Sequence, residues 1–117
     1  MARLFGTDGV RGLANKFPLD GNTVFRIAQL ATRQLMLNLK KQGRPVFIAK
    51  DTRRSGDMLE HAVAAGVASM GAEARLLGVL PTPAVAFITR ELQGMGGIMI
   101  SASHNPFADN GIKIFGP

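Results

Sequence analysis

Short extended runs alternate with segments of helical period along this chain, and that alternation most restricts how it can fold. Arg3-Leu4-Phe5, Pro45 to Ala49, Glu73 to Val79 and Ile98 to Ser101 are the extended runs. Between them lie three stretches whose apolar residues recur every three or four positions. A strand-helix rhythm of this kind places helices on both faces of a sheet, with right-handed crossovers between parallel strands. The expectation is an α/β fold: a three-layer α/β/α arrangement around an open, mostly parallel sheet, with polar loops gathered at one sheet edge. The 117 residues suit one domain with one core.

Each helical stretch carries its own start and stop signals. The first has Asp20 as N-cap and Val24, Ile27, Ala28, Ala31 and Leu35 at helical spacing. Lys40 and Lys41 suit its C-terminal dipole, and Gly43 can close it in the left-handed conformation. The second has Ser55 as N-cap, a face of Leu59, Val63, Val67 and Met70, and Gly71 as its end; Gly66 permits close packing on a sheet. The third follows Pro81-Thr82-Pro83, with Thr82 as cap and Pro83 at the first helical position. Met95 and Met99 read as core filler.

The candidate chemistry sits where the last extended run ends. Gly97-Ile98-Met99-Ile100-Ser101-Ala102-Ser103-His104-Asn105-Pro106 delivers two serines and a histidine to the C-terminal end of an apolar strand, where open α/β sheets place their ligands. Pro106 stops the strand. Asn110-Gly111 supplies the positive φ angles of a tight turn, which would fold Lys113 back towards Ser103 and His104. Near the N-terminus, Gly6-Thr7-Asp8-Gly9-Val10-Arg11-Gly12 reads as a glycine-rich loop able to bring backbone amides and Arg11 to an anion. Lys50-Asp51-Thr52-Arg53-Arg54-Ser55-Gly56 is another polar strand exit, whose Arg53 and Arg54 read equally as a solvated face or as functional.

Composition narrows the partners. The formal net charge is +6, yet no basic run exceeds two residues and there is no tyrosine or tryptophan to stack on bases, so a small anionic ligand explains the charge better than nucleic acid. Cysteine is absent, which excludes disulfides and thiolate metal sites and fits a reducing cytoplasm. No apolar stretch approaches the roughly 20 residues of a membrane helix, so no membrane partner is expected.

Four separated segments, taken in order, resemble the α-D-phosphohexomutases: Phe5 to Gly12, Lys50 to Gly56, Pro81-Thr82-Pro83-Ala84, and Ile100 to Pro106 with Asp109-Asn110-Gly111-Ile112-Lys113. The resemblance covers the whole chain and corresponds to the first of that family's four domains. It implies that Ser103 carries a transferable phosphoryl group, with His104 and Lys113 serving proton transfer and phosphate contact and Arg11 beside them. It also implies phosphate binding by Thr7, Asp8, Arg11, Ser101 and Lys113. Mg2+ is implied as cofactor, reaching this chain only through the phosphate on Ser103, because the family's metal loop Asp-Gly-Asp-Gly-Asp-Arg is not found in the sequence. A sugar 1,6-bisphosphate is implied as intermediate and activator. The implied reaction converts glucosamine 6-phosphate to glucosamine 1-phosphate; action on glucose or mannose phosphates, or non-catalytic phosphosugar binding, are the alternatives. The implied partners are a phosphosugar substrate and the remaining domains of a longer chain, without which no activity is expected. A homo-oligomer is a further expectation, since the apolar segment Ile112 to Phe115 should lie exposed in this fragment and drive self-association.

Overall fold

The computed structural model describes residues 9–102 and 105–117. Two strands, β2 (Val46–Lys50) and β4 (Gly96–Ile100), lie side by side and parallel at the centre, and both are buried almost throughout. Continuous burial of this kind belongs to strands covered on both faces, so these runs are apolar without alternation. β3 (Ala74–Val79) pairs parallel on the outer side of β2. β5 (Asp109–Phe115) pairs antiparallel with β4, and β1 (Val10–Leu13) pairs antiparallel with β5, giving the order β1-β5-β4-β2-β3. Among the described residues, four strands therefore run one way and β5 runs the other. The reversal has a simple cause: residues 101–108 are fewer than the dozen or so that a parallel crossover needs.

The helices divide between the faces. α1 (Gly21–Leu35) and α2 (Gly56–Ser69) pack Val24, Ala28, Leu59 and Val63 onto the sheet residues Ile48 and Ile98. They also pack closely on each other, because a Cβ added at Gly66 would lie only 2.6 Å from the Ala28 Cβ and from the Phe25 carbonyl oxygen. On the opposite face α3 (Thr82–Glu91) sets Val85 against Ala49 and Met99. The chain steps outward from β2 to β3 over α2 and returns from β3 to β4 over α3. Same-handed crossovers in opposite directions require opposite faces, as observed. The change of direction falls between β2 and β4, and it is beyond the carboxyl ends of such a strand pair that open α/β sheets form their ligand crevice. Among the described residues no helix is long and apolar enough to cross a membrane.

Asp20 caps α1 as expected, accepting from the Thr23 N–H at 3.1 Å and the Thr23 hydroxyl at 2.9 Å. Several boundaries differ from expectation. α1 ends at Leu35, and Lys40 and Lys41 belong to a separate 3-10 turn started by Asn38, whose side chain accepts from the Lys40 N–H. Pro81 rather than Thr82 precedes the third helix. Ser55 stands before α2 but makes no capping bond, because its hydroxyl accepts instead from Asn110 Nδ2 at 2.8 Å. Val10 to Gly12, expected as loop, belong with Leu13 to a strand because β5 offers them a pairing edge. Gly9 makes the approach feasible: its φ is +88°, and a Cβ there would strike the Ile112 carbonyl. Asn110 and Gly111 form no turn; they are paired with Gly12 and Arg11 inside β5. Nor is Ile112 to Phe115 an exposed patch. Ile112 is buried, Ile114 packs on the α1–α2 side and Phe115 on the α3 side, since β5 is an inner strand.

Candidate functional site

The crevice is bounded by the loop after β2 and the loop after β4, and one carboxylate joins them. The Asp51 N–H donates to the Ile100 carbonyl at 3.1 Å, continuing the parallel ladder one step beyond the strands. The Ser101 hydroxyl donates to Asp51 Oδ2 at 2.7 Å. Asp51 also accepts from the Arg53 N–H and from Arg53 Nε, both at 3.0 Å. Burial alone would raise the Asp51 carboxyl, but the Arg53 N–H, the Ser101 hydroxyl and the Arg53 guanidinium together hold it below its ordinary 3.8.

Arg53 reaches from this carboxylate into the loop after β4. Its Nη1 donates to the carbonyls of Asn105 at 2.9 Å and Pro106 at 2.7 Å, with Asp109 more distant at 3.4 Å. The Phe107 ring centroid lies 5.8 Å from the guanidinium carbon. Arg53 is only 7% exposed, which an arginine tolerates when its charge and donors are matched. The loop adds bonds of its own: Asn105 N–H to the Ala102 carbonyl, Asp109 N–H to the Pro106 carbonyl, and Asn105 Nδ2 to Asp109 Oδ2. Lys50, three residues before Arg53, turns the other way. Its ammonium sits 2.6 Å from Asp57 and 3.0 Å from the buried Glu60, and those hydrogen bonds, that of Asp57 foremost, raise its pKa above 10.5.

Of the residues singled out in the sequence, Thr7, Asp8, Ser103 and His104 lie outside the described residues. Arg11, on edge strand β1, reaches the crevice loop by donating from Nη1 to Asn105 Oδ1 at 3.3 Å. Lys113 is level with Met99, not at a turn, and its ammonium lies 5.6 Å from the Phe115 ring centroid, which is the direction away from the loop. Ser101 is at the crevice, with its hydroxyl on Asp51.

A family model for the phosphoglucomutase/phosphomannomutase alpha/beta/alpha domain I matches residues 2–117. The chain belongs to that family. It is 53% identical over 116 residues to a phosphoglucosamine mutase of Syntrophobacter fumaroxidans, covering 99% of this chain and 25% of that protein. It is 56% identical over 114 residues to a phosphoglucosamine mutase of Rhodospirillum rubrum, covering 97% of this chain and 25% of that protein. A crystal structure assigned to a phosphomannomutase from Thermus thermophilus superposes with a TM-score of 0.82 at 35% identity, over 96% of this chain and 25% of the other. The chain thus spans about a quarter of the length of the curated relatives it matches.

Within this domain I, sequence reasoning undervalued Asp51 and Arg53. The available signal was an acid and an arginine two residues apart, directly after a buried strand and opposite the polar exit of its neighbour. A magnesium site is not fitted by the described residues themselves. Both Asp51 oxygens are engaged by Arg53 and Ser101, Asp57 and Glu60 are engaged by Lys50, and the described residues hold no group of three His, Asp or Glu side chains suited to a metal.

Proposed function

We propose that this chain is the phosphoryl-carrying domain I of a phosphoglucosamine mutase, an isomerase acting by phosphoryl transfer on glucosamine phosphates in the cytoplasm. The observation that carries this reading is the identity of 53% and 56%, across nearly the whole chain, to proteins of that name. The crevice at the strand reversal, with a serine-rich loop on one side, is consistent with it.

In this reading Ser103 carries the phosphate. Its Oγ–P bond breaks as a new O–P bond forms to the open hydroxyl of the sugar monophosphate, and the proton of that hydroxyl passes to a base, for which His104 is the neighbour in sequence. The sugar 1,6-bisphosphate turns over in the site. Its other phosphoryl group then returns to Ser103, and the sugar oxygen it leaves regains a proton. Arg11, which reaches Asn105, offsets phosphate charge, since such transfers depend chiefly on positioning and electrostatics; Lys113 would join it only by swinging its ammonium away from Phe115. Ser101 is disfavoured as carrier because its oxygen lies 2.7 Å from the Asp51 carboxylate, whose negative charge would repel a phosphate placed there.

The test uses the complete protein that contains this chain. With labelled glucosamine 1,6-bisphosphate, Ser103→Ala should abolish phosphate incorporation and turnover, while Ser101→Ala keeps the incorporation site. Label found on Ser101, or turnover by Ser103→Ala near that of the unaltered protein, would overturn the assignment. Purified residues 1–117 should show no turnover in a coupled assay. The 35% identity to a phosphomannomutase structure supports a second reading, a glucose or mannose phosphate mutase. Comparing kcat/KM for the three sugar phosphates separates them.

A further inference from the structure

The Asn105–Pro106 peptide contributes an acceptor and no donor, because proline has no N–H. In a loop outside the ladder its oxygen is bonded either by water or by a donor from elsewhere in the fold. Arg53 supplies one, and the same nitrogen also serves the next carbonyl, that of Pro106. The guanidinium cannot drift towards either, because its Nε and its own N–H are fixed by Asp51, and Asp51 is fixed in turn to the central strand β4 and its exit through the Ile100 carbonyl and the Ser101 hydroxyl. A planar fork on a partly buried carboxylate thus sets the height and direction of two successive carbonyls in the loop 101–108.

We infer that Arg53, oriented by Asp51, is a positioning residue: it fixes the Asn105–Pro106 stretch that directly follows Ser103 and His104 in sequence, without being a ligand of the sugar phosphate. The inference rests on the proposed phosphoryl transfer for its link to turnover, and on the geometry alone for its link to loop shape. Lysine is a poor substitute. Its ammonium is a point charge on a single stem and does not present the planar fork that meets a carboxylate on one side and carbonyls on another. A misplacement of about 1 Å in a reacting group can cost roughly 100-fold in rate, so the effect should fall on kcat.

In the complete protein, Arg53→Lys should lower kcat by about 100-fold while KM for the sugar phosphate stays near its original value. Arg53→Ala should regain part of its turnover on addition of guanidinium ion, and Asp51→Asn should show the same kcat-weighted loss. Hydrogen exchange supplies a readout independent of activity. In Arg53→Lys, exchange at the Asn105 and Asp109 amides should accelerate more than at amides of β2 and β4. A rise in KM with kcat preserved would identify Arg53 as a phosphate ligand and overturn the inference. Equal acceleration in loop and strands would overturn it too, by showing a general scaffold role. If the unaltered protein places no phosphate on Ser103, the proposed transfer fails by itself, and the exchange comparison still decides whether Arg53 holds the loop.

Discussion

Asp51-Thr52-Arg53 and Glu73-Ala74-Arg75 are the same local device in two settings. Each pairs an acid with an arginine two residues later, at 3.0 Å in the first and 2.6 Å in the second, and each guanidinium lies 5.8 Å from a phenylalanine ring, Phe107 and Phe47 respectively. Their surroundings differ. The Arg53 and Asp51 side chains are 6% and 27% exposed, those of Arg75 and Glu73 51% and 52%. At the crevice the remaining donors meet carbonyls of another loop; at the start of β3, on the sheet edge, both partners stay in water. An exposed pair gains little over its separately hydrated ions, whereas a buried pair leaves an unmatched charge and unmatched carbonyls when one partner is lost. Spacing therefore gives the pair, and tertiary position gives its consequence.

The largest expected effect is the difference between the two arginines. Arg53→Ala should lower unfolding stability by about 3 kcal/mol at most, since it strands a partly buried carboxylate and loop acceptors, while Arg75→Ala should cost under about 1 kcal/mol. Urea unfolding of both variants checks this. Equal losses would show that burial does not distinguish the two devices.

A smaller effect appears with pH. The folded pKa of Asp51 is depressed below 3.8, so its contribution is fully present above that value and is lost as pH falls through the folded pKa. Asp51→Asn should therefore be less stable than the unaltered chain at neutral pH, by roughly 1–3 kcal/mol, with the two curves converging as pH drops below the ordinary carboxylate range. Asp20 and Asp57 are also depressed, by Thr23 and by Lys50, and they shape the acid limb of both proteins alike, so the difference between the curves isolates Asp51. A constant gap down to the acid end would mean that its charge is not what holds the loop.

Much of the fold was legible because its signals are local. Asp20 caps α1, Gly71 with its φ of +85° follows α2, and the apolar runs at Val46 and Ile98 are the two central strands. What escaped depends on distant partners. Val10–Leu13 becomes a strand only because β5, about a hundred residues later, pairs with it, and the Asn110-Gly111 signal is overridden by that same pairing. At the candidate site the strand exits, with Arg11 and Ser101, could be read from residue types. The value of Arg53 could not, since an arginine beside an aspartate looks the same whether it ends in solvent or under a loop.

The smallest effect is the sharpest control. A double-mutant cycle on Glu73 and Arg75, using Glu73→Gln and Arg75→Met, should give a coupling of about 0.2–1 kcal/mol that shrinks further in high salt, because both ends are hydrated and screened. The equivalent cycle on Asp51 and Arg53 should give a larger coupling with less salt dependence, since the charges meet partly out of water and each is held by a further partner, Asp51 by Ser101 and Arg53 by the loop carbonyls. If the exposed pair matched the buried one in coupling and in salt response, the crevice would be held by sequence spacing alone, and the environment around Arg53 would lose its explanatory role.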